Sequence, residues 1–283
     1  MSLRDFKYEG GDFVITDEMK NAYKEDGYIL VRGLFSTEEV AHIEKAIIEG
    51  PILNHSYGVD DGEGKKAHMV LWNHPGNDVT GMVGRCEKVA GSCEKLLGGE
   101  VYHYHTKLMK KPAKVLKSSH KCGRIDHVRV GNQVGADVSR VDEISKVCPL
   151  QFVEMVAGDA LFFDCNLLHC SSANMSEARR WAFLCAYNKA DNNPTKEHHH
   201  PRYTPLQKVP DSAVVECQEF KDMSGKSFNS ITKETKSLEE VKQQEVKDGA
   251  ILECKEIHDM TEKWFHKLGD ETNCEKSKTE EDK

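Results

Sequence analysis

The side chains best suited to chemistry lie in residues 158–182, GDALFFDCNLLHCSSANMSEARRWA. A Gly158-Asp159 turn feeds an apolar strand that ends at His169, and Arg180 opens the next strand. Antiparallel strands joined by a short loop bring such side chains to one mouth of a barrel. A histidine there can ligate iron through an imidazole nitrogen. An arginine can grip a carboxylate with its two-pronged guanidinium, and Ser171 can add a hydroxyl bond to the same group. The spacing alone leaves a plainer alternative open: His169 as a core histidine, and Arg180 paired with Asp159 or Asp164.

Composition narrows the partners. The formal net charge is −8, and no Lys/Arg stripe with interleaved aromatics is visible. Neither nucleic acid nor an anionic membrane surface is therefore expected. The opening MSLRDFKYEGGDF has no apolar signal segment, and no run of about 18 apolar residues is present. The expectation is a soluble, cytoplasmic protein. The ten cysteines are scattered singly, which favours reduced thiols over a disulfide framework or zinc site. Closed zinc sites need four N/S ligands at tight spacing, and hydrolase and P-loop signatures are absent too.

The elements that must position His169 and Arg180 follow from periodicity and capping. Thr16 can cap a helix over 16–26, with Gly27 taking its left-handed end. Tyr28 to Val31 read as a strand. Ser36 and Glu39 form a capping box for a second helix, whose Val40, Ile43 and Ile47 make one apolar stripe. Residues 50–81, rich in Gly, Asp, Asn and His, read as loop, and 82–97 as a third helix stopped by Gly98-Gly99. Strands are expected over 100–109, 151–156, 160–164 and 180–187. Helices first and short, sequence-distant strands later imply an α+β domain around a jelly-roll core. This domain is expected over residues 1–207. Residues 208–283 are expected to form a polar extension with few apolar anchors at 237–247, a last short helix docked by Trp264, Phe265 and Leu268, and a disordered end.

His169, Ser171, Asn174, Ser176 and Arg180 spell H-x-S-x-x-N-x-S-x-x-x-R, and this segment closely resembles the phytanoyl-CoA dioxygenase family of Fe(II)/2-oxoglutarate oxygenases. DGYILVRGLFSTEEV (26–40) is similar to the family's opening strand and helix, EVYHYHTKLMKKP (100–112) to its first barrel strand, and SHKCGRIDH (119–127) to its G-S-H-K-x-G loop. The likeness spans roughly residues 20–206. It implies a double-stranded β-helix with His169 as the distal iron ligand. It also implies that Arg180 holds the far carboxylate of 2-oxoglutarate with help from Ser171, and that Lys107 lines the cosubstrate pocket. Fe(II) and 2-oxoglutarate would be the cofactors, and a small molecule or acyl-CoA the substrate.

The family's iron site has two histidines and one carboxylate, the first two ligands arriving as H-x-D or H-x-E on one strand face. That pair belongs between the first barrel strand and the G-S-H-K loop. Here Pro112 and Val115 nearly fuse those landmarks, so about two core strands are missing from the expected place. The sole H-x-D/E, His42-Ile43-Glu44, falls on a helix, where i and i+2 diverge by about 200°. His103 and His105 are expected on one strand face, either completing an all-imidazole site with His169 or serving as ordinary pocket or surface histidines. His198 to His200 resemble a structural family loop, HHPRYTP. Two functions stand against each other: an iron-dependent hydroxylase, or a non-catalytic scaffold or binding protein. Lost strands would expose edges that invite self-association.

Overall fold

The computed structural model describes residues 4–60, 66–109, 113–130, 133–170, 181–195 and 201–228. The expected junction at 110–112, the expected loop at His198–His200, residues 237–247, the expected short helix at Trp264–Leu268 and the expected disordered end lie outside them. Among the described residues no helix is long and apolar enough to cross a membrane.

The chain opens with β1 (Asp5–Lys7), α1 (Asp17–Asp26), β2 (Tyr28–Arg32) and α2 (Thr37–Glu49). Local chemistry sets these bounds. Thr16 accepts from the Met19 amide, Gly27 ends α1 at φ 83°, and Ser36 and Glu39 close both halves of their capping box. β2 is buried on both faces, so Tyr28, Ile29, Leu30 and Val31 form an unbroken apolar run rather than an alternating one.

Next come β3 (Tyr57–Asp60) and β4 (Lys66–Asn73), in the stretch expected to be loop. The correction has a clear cause. Met69, Val70, Leu71 and Trp72 are the core-forming run, with Val70 and Trp72 almost wholly buried. Turn-forming neighbours on both sides hid it. The third helix is also not continuous: α3 (Val79–Arg85) and α4 (Ser92–Leu97) flank a π-type turn at Glu87–Gly91. At Cys86 the backbone turns extended (φ −66°, ψ 151°). The downstream chain inserts there, with the Val209 amide on the Arg85 carbonyl (3.0 Å) and the Glu87 amide on the Val209 carbonyl (3.1 Å).

The remaining elements are β5 (Val101–Met109), β6 (Ala113–Leu116), β7 (His127–Val130), β8 (Gln133–Ala136), α5 (Val138–Ser145), β9 (Leu150–Val153), β10 (Ala160–Phe163), β11 (His169–Cys170), β12 (Ala182–Lys189), α6 (Ala213–Glu216) and β13 (Ser227–Phe228). The largest sheet runs β12-β5-β4-β13, with β3 also on β4. A second runs β11-β6-β9, a third β1-β2-β10, and β7-β8 is a separate hairpin. Mixed helices and sheets form an α+β jelly-roll core that does not close into a barrel among the described residues. Instead of passing straight from strand to loop, the chain after the junction makes β6, which joins β9 to β11.

Residues 208–228 belong to this same body. Val214 is fully buried with Val83 and Cys86, and Phe228 packs on Trp72. The Lys226 ammonium reaches the Asp78 carboxylate at 2.6 Å, with both side chains almost completely buried. The expected boundary at residue 207 therefore crosses a packed core rather than a linker.

Candidate functional site

The Gly158-Asp159 turn is the first fixed point of the site. A Cβ on Gly158 would come within 2.4 Å of the Phe35 carbonyl oxygen, and its φ of 95° also favours glycine. Asp159 accepts from the Val156 and Gly33 amides (both 3.0 Å) and from the Arg32 guanidinium at 2.7 Å. The carboxyl is accordingly held below the usual range: the two amides and Arg32 outweigh its desolvation. Among the described residues the cation on Asp159 is Arg32. The turn locks β10 against β2, where Ala160 to Phe163 pair antiparallel with Val31 to Tyr28.

From β10 the chain passes through Asp164 and Leu167 to His169. Leu167 is buried, and its carbonyl accepts from His169 Nδ1 at 2.8 Å. That bond fixes the tautomer, because the nitrogen facing a carbonyl carries the hydrogen and Nε2 keeps its lone pair. The Phe163 ring meets the imidazole edge-on, with centroids 4.9 Å apart. Backbone pairing to Val115 on β6 fixes the height of His169. Two further bonds hold the preceding residue: the Leu168 amide on Ser119 Oγ (2.8 Å) and the Leu116 amide on the Leu168 carbonyl (2.9 Å). His169 is thus held in one orientation with the Nε2 lone pair free of its own proton. It is exposed at the surface, yet surrounding protein lowers its pKa through desolvation, with Leu167 opposing and the Lys107 charge adding to the fall. The exposure governs access of a ligand; the surrounding mass governs the proton.

Lys107 sits mid-strand in β5, between Leu184 of β12 and Leu71 of β4. It is half-buried, and desolvation lowers its pKa. It is near enough to act on His169 electrostatically, so β5 and β11 contribute to one region from two different sheets. Ser171, Asn174, Ser176 and Arg180 lie outside the described residues. β11 and β12 are not neighbours in a sheet: β11 pairs β6, and β12 pairs β5.

His103 does not join this region. The β5–β12 register slips at Tyr104, since His105 faces Ala186 while His103 faces Tyr187. The extra residue is a bulge, which shifts the strand's alternation. His103 Nε2 bonds Thr106 Oγ at 2.7 Å, placing His103 on the Thr106 face and therefore opposite His105. The expected shared face is lost to one inserted residue. His103 is almost fully buried, and burial first, then the charges of His105, His74 and Lys226, draw its pKa down to about 3. Unfolded, the group takes a proton as pH falls below about 6.5; folded, it resists until about 3. Stability is therefore lost on acidification through that window. Urea unfolding should show about 3 kcal/mol less stability at pH 4 than at pH 7 from this group, and His103→Gln should remove that part of the slope.

His42 and Glu44 lie on α2 as expected, and His42 Nε2 is engaged with the Cys217 carbonyl at 2.8 Å. Among the described residues no group of three or more His, Cys, Asp or Glu side chains is arranged to hold a metal ion. The described residues therefore do not fit iron as a complete site.

Known proteins resemble the chain in this same region. The family model described as "Phytanoyl-CoA dioxygenase (PhyH)" matches residues 113–182. The ectoine dioxygenase of Bordetella parapertussis is 23% identical over 257 residues, covering 69% of this chain and 83% of that protein. Since 69% of a 283-residue chain falls well short of 257 positions, tens of positions in the relative have no counterpart here. Among solved structures, EctD from S. alaskensis with 2-oxoglutarate and 5-hydroxyectoine superposes with a TM-score of 0.56 at 19% identity, over 69% of this chain and 88% of that one. The same protein with bound Fe gives a TM-score of 0.54 at 18% identity, over 74% and 93%.

Proposed function

We propose that the chain is a catalytically impaired member of the phytanoyl-CoA dioxygenase family of Fe(II)/2-oxoglutarate-dependent oxygenases, which its match over residues 113–182 and its similarity to ectoine dioxygenases support. The family reaction is hydroxylation of a small molecule or acyl-CoA. One observation carries the reading: His169 presents a ligand-ready Nε2, but its sequence offers no strand-borne H-x-D or H-x-E to complete an iron triad. A lone imidazole holds a divalent ion weakly, and three protein ligands are the norm at such centres. The tens of positions lacking a counterpart support the same reading, because the Pro112–Val115 junction is where that ligand pair is expected.

The basic groups are retained even where the acidic ligand is not. Lys107, whose charge is felt at His169, together with Arg180 and Ser171 as carboxylate-binding residues, suits a dicarboxylate such as 2-oxoglutarate without iron. The protein then acts by binding, as a cytoplasmic scaffold or ligand-responsive partner. Self-association fits the surface as well. β9 is an edge strand, and Val147, Phe152, Met155 and Val156 around it are exposed apolar residues.

Thermal-shift titration of the full chain with Mn(II), a redox-silent substitute for Fe(II), tests the reading. Mn(II) with 2-oxoglutarate should stabilise the protein no more than 2-oxoglutarate alone, in wild type and His169→Ala alike. A saturable shift that needs both additives and disappears in His169→Ala would establish a surviving metal centre and overturn the proposal.

A further inference from the structure

Outside the His169 region, two sulfur atoms face each other with no covalent bond between them. Cys122 ends a 3-10 turn at Ser119–Cys122, and Cys148 follows α5 by a short turn. Their Sγ atoms are 3.9 Å apart, although the residues are 26 positions apart in sequence. Both are free thiols. They meet within one apolar cluster with Leu116, Val141 and Ile144, which holds the two segments together independently of any bond between the sulfurs. A disulfide needs about 2.05 Å between sulfurs, so closure requires about 2 Å of side-chain movement.

We propose that Cys122 and Cys148 are a redox modification site that forms a reversible disulfide when a hydroperoxide reaches it. Cys122 is half-buried and Cys148 is buried, so Cys122 is the thiol an oxidant meets first. Its thiolate attacks one peroxide oxygen, the O–O bond breaks, and hydroxide leaves as water after taking a proton, giving a sulfenic acid. Cys148 gives up its proton and attacks that sulfur; the S–O bond breaks and a second water leaves. Each sulfur has lost one electron, and one hydrogen peroxide has become two waters. Burial and the adjacent Cys122 raise the Cys148 thiol's pKa to about 11, which suits it to the second, resolving step rather than the first attack.

The bond would act on the neighbouring site through the backbone. Ser119, in the same turn as Cys122, accepts from the Leu168 amide next to His169. Stapling that turn to the end of α5 fixes the support under His169 and closes a loop containing β7, β8 and α5. This consequence holds whether or not the chain binds metal.

The test uses the wild-type full chain with one equivalent of hydrogen peroxide, mapped by non-reducing peptide mass spectrometry. The expected result is a Cys122–Cys148 cross-linked peptide as the main product, two hydrogens lighter than the separate peptides and released by dithiothreitol. The midpoint of thermal unfolding should rise by about 5 °C or more, as closing a loop of this size implies. Exchange of the Leu168 amide should slow at least tenfold. Cys165→Ser, which removes an exposed thiol, should change none of this. Full alkylation of both cysteines after peroxide, or cross-linking of Cys122 to Cys170 instead, would overturn the proposal.

Discussion

Replacing Asp78 by alanine is expected to cost about 3–5 kcal/mol, because it strands an ammonium in the core. Lys226 Nζ donates to Asp78 Oδ1 at 2.6 Å, to Thr80 Oγ at 3.0 Å and to the Pro75 carbonyl at 2.5 Å. Its side chain has no exposure, and that of Asp78 has 2%. Burial lowers the Lys226 pKa, and Asp78 is the main group opposing that fall. Removing the carboxylate leaves the buried ammonium without its counter-charge. Asp78 also accepts from the Gly81 amide at 3.0 Å, so α3 loses its cap in the same step. Urea unfolding of the variant measures the total. Lys226→Met should cost less, since the Asp78 carboxylate keeps the Thr80 hydroxyl and the Gly81 amide. Joining Lys226→Met to Asp78→Asn should recover most of the loss, because no buried charge then remains.

Ending the chain after Gln207 should have a larger effect: loss of the cooperative unfolding transition. The cut removes the Val209 segment that pairs with Arg85 and Glu87, the buried Val214, the Lys226 ammonium, and β13 with Phe228 on Trp72. It exposes Trp72, takes the Lys226 counter-charge from Asp78, and takes Val209 and Val214 from Cys86. Several kcal/mol of packing are lost at three separate places, against a total stability of about 5–15 kcal/mol. Circular dichroism during heating would show a broad, non-cooperative change or precipitation. A chain ending after Phe228 keeps every contact named above and should melt in one sharp step.

Much of the frame was legible in the sequence because its signals are local. Capping by Thr16 and Ser36, the β2 run, and the Gly158-Asp159 turn depend on neighbours within a few positions, and each appears as read. What was not legible depends on distant chain. β4 looked like loop because turn-forming residues surround a short apolar run that pairing with β3, β5 and β13 makes into a strand. The break at Cys86 is imposed by Val209, and the integration of residues 208–228 by Lys226, a residue type that usually marks surface. The bulge at Tyr104 is a single-residue event in pairing with β12, invisible to any two-residue alternation. For the candidate site, the His169 motif and the missing strand-borne acid were both readable from residue types. Lys107 was named through the family resemblance; the tautomer, set by the Leu167 carbonyl, needed three dimensions.

The pairing of β2 with β10 also bears on how the protein is made. Val31 lies opposite Ala160, and Trp72 opposite Phe228. A ribosome adding about 5–20 residues per second takes on the order of ten seconds to travel between the members of either pair. During that interval Tyr28 to Val31, which end up with almost no exposure, have β1 on one edge but lack β10 on the other. Long-range pairing of this kind also slows folding once the partner emerges. The nascent chain therefore presents a sticky apolar segment early and receives its Lys226 lock late, which makes it a natural client for chaperones that hold chains at the exit tunnel.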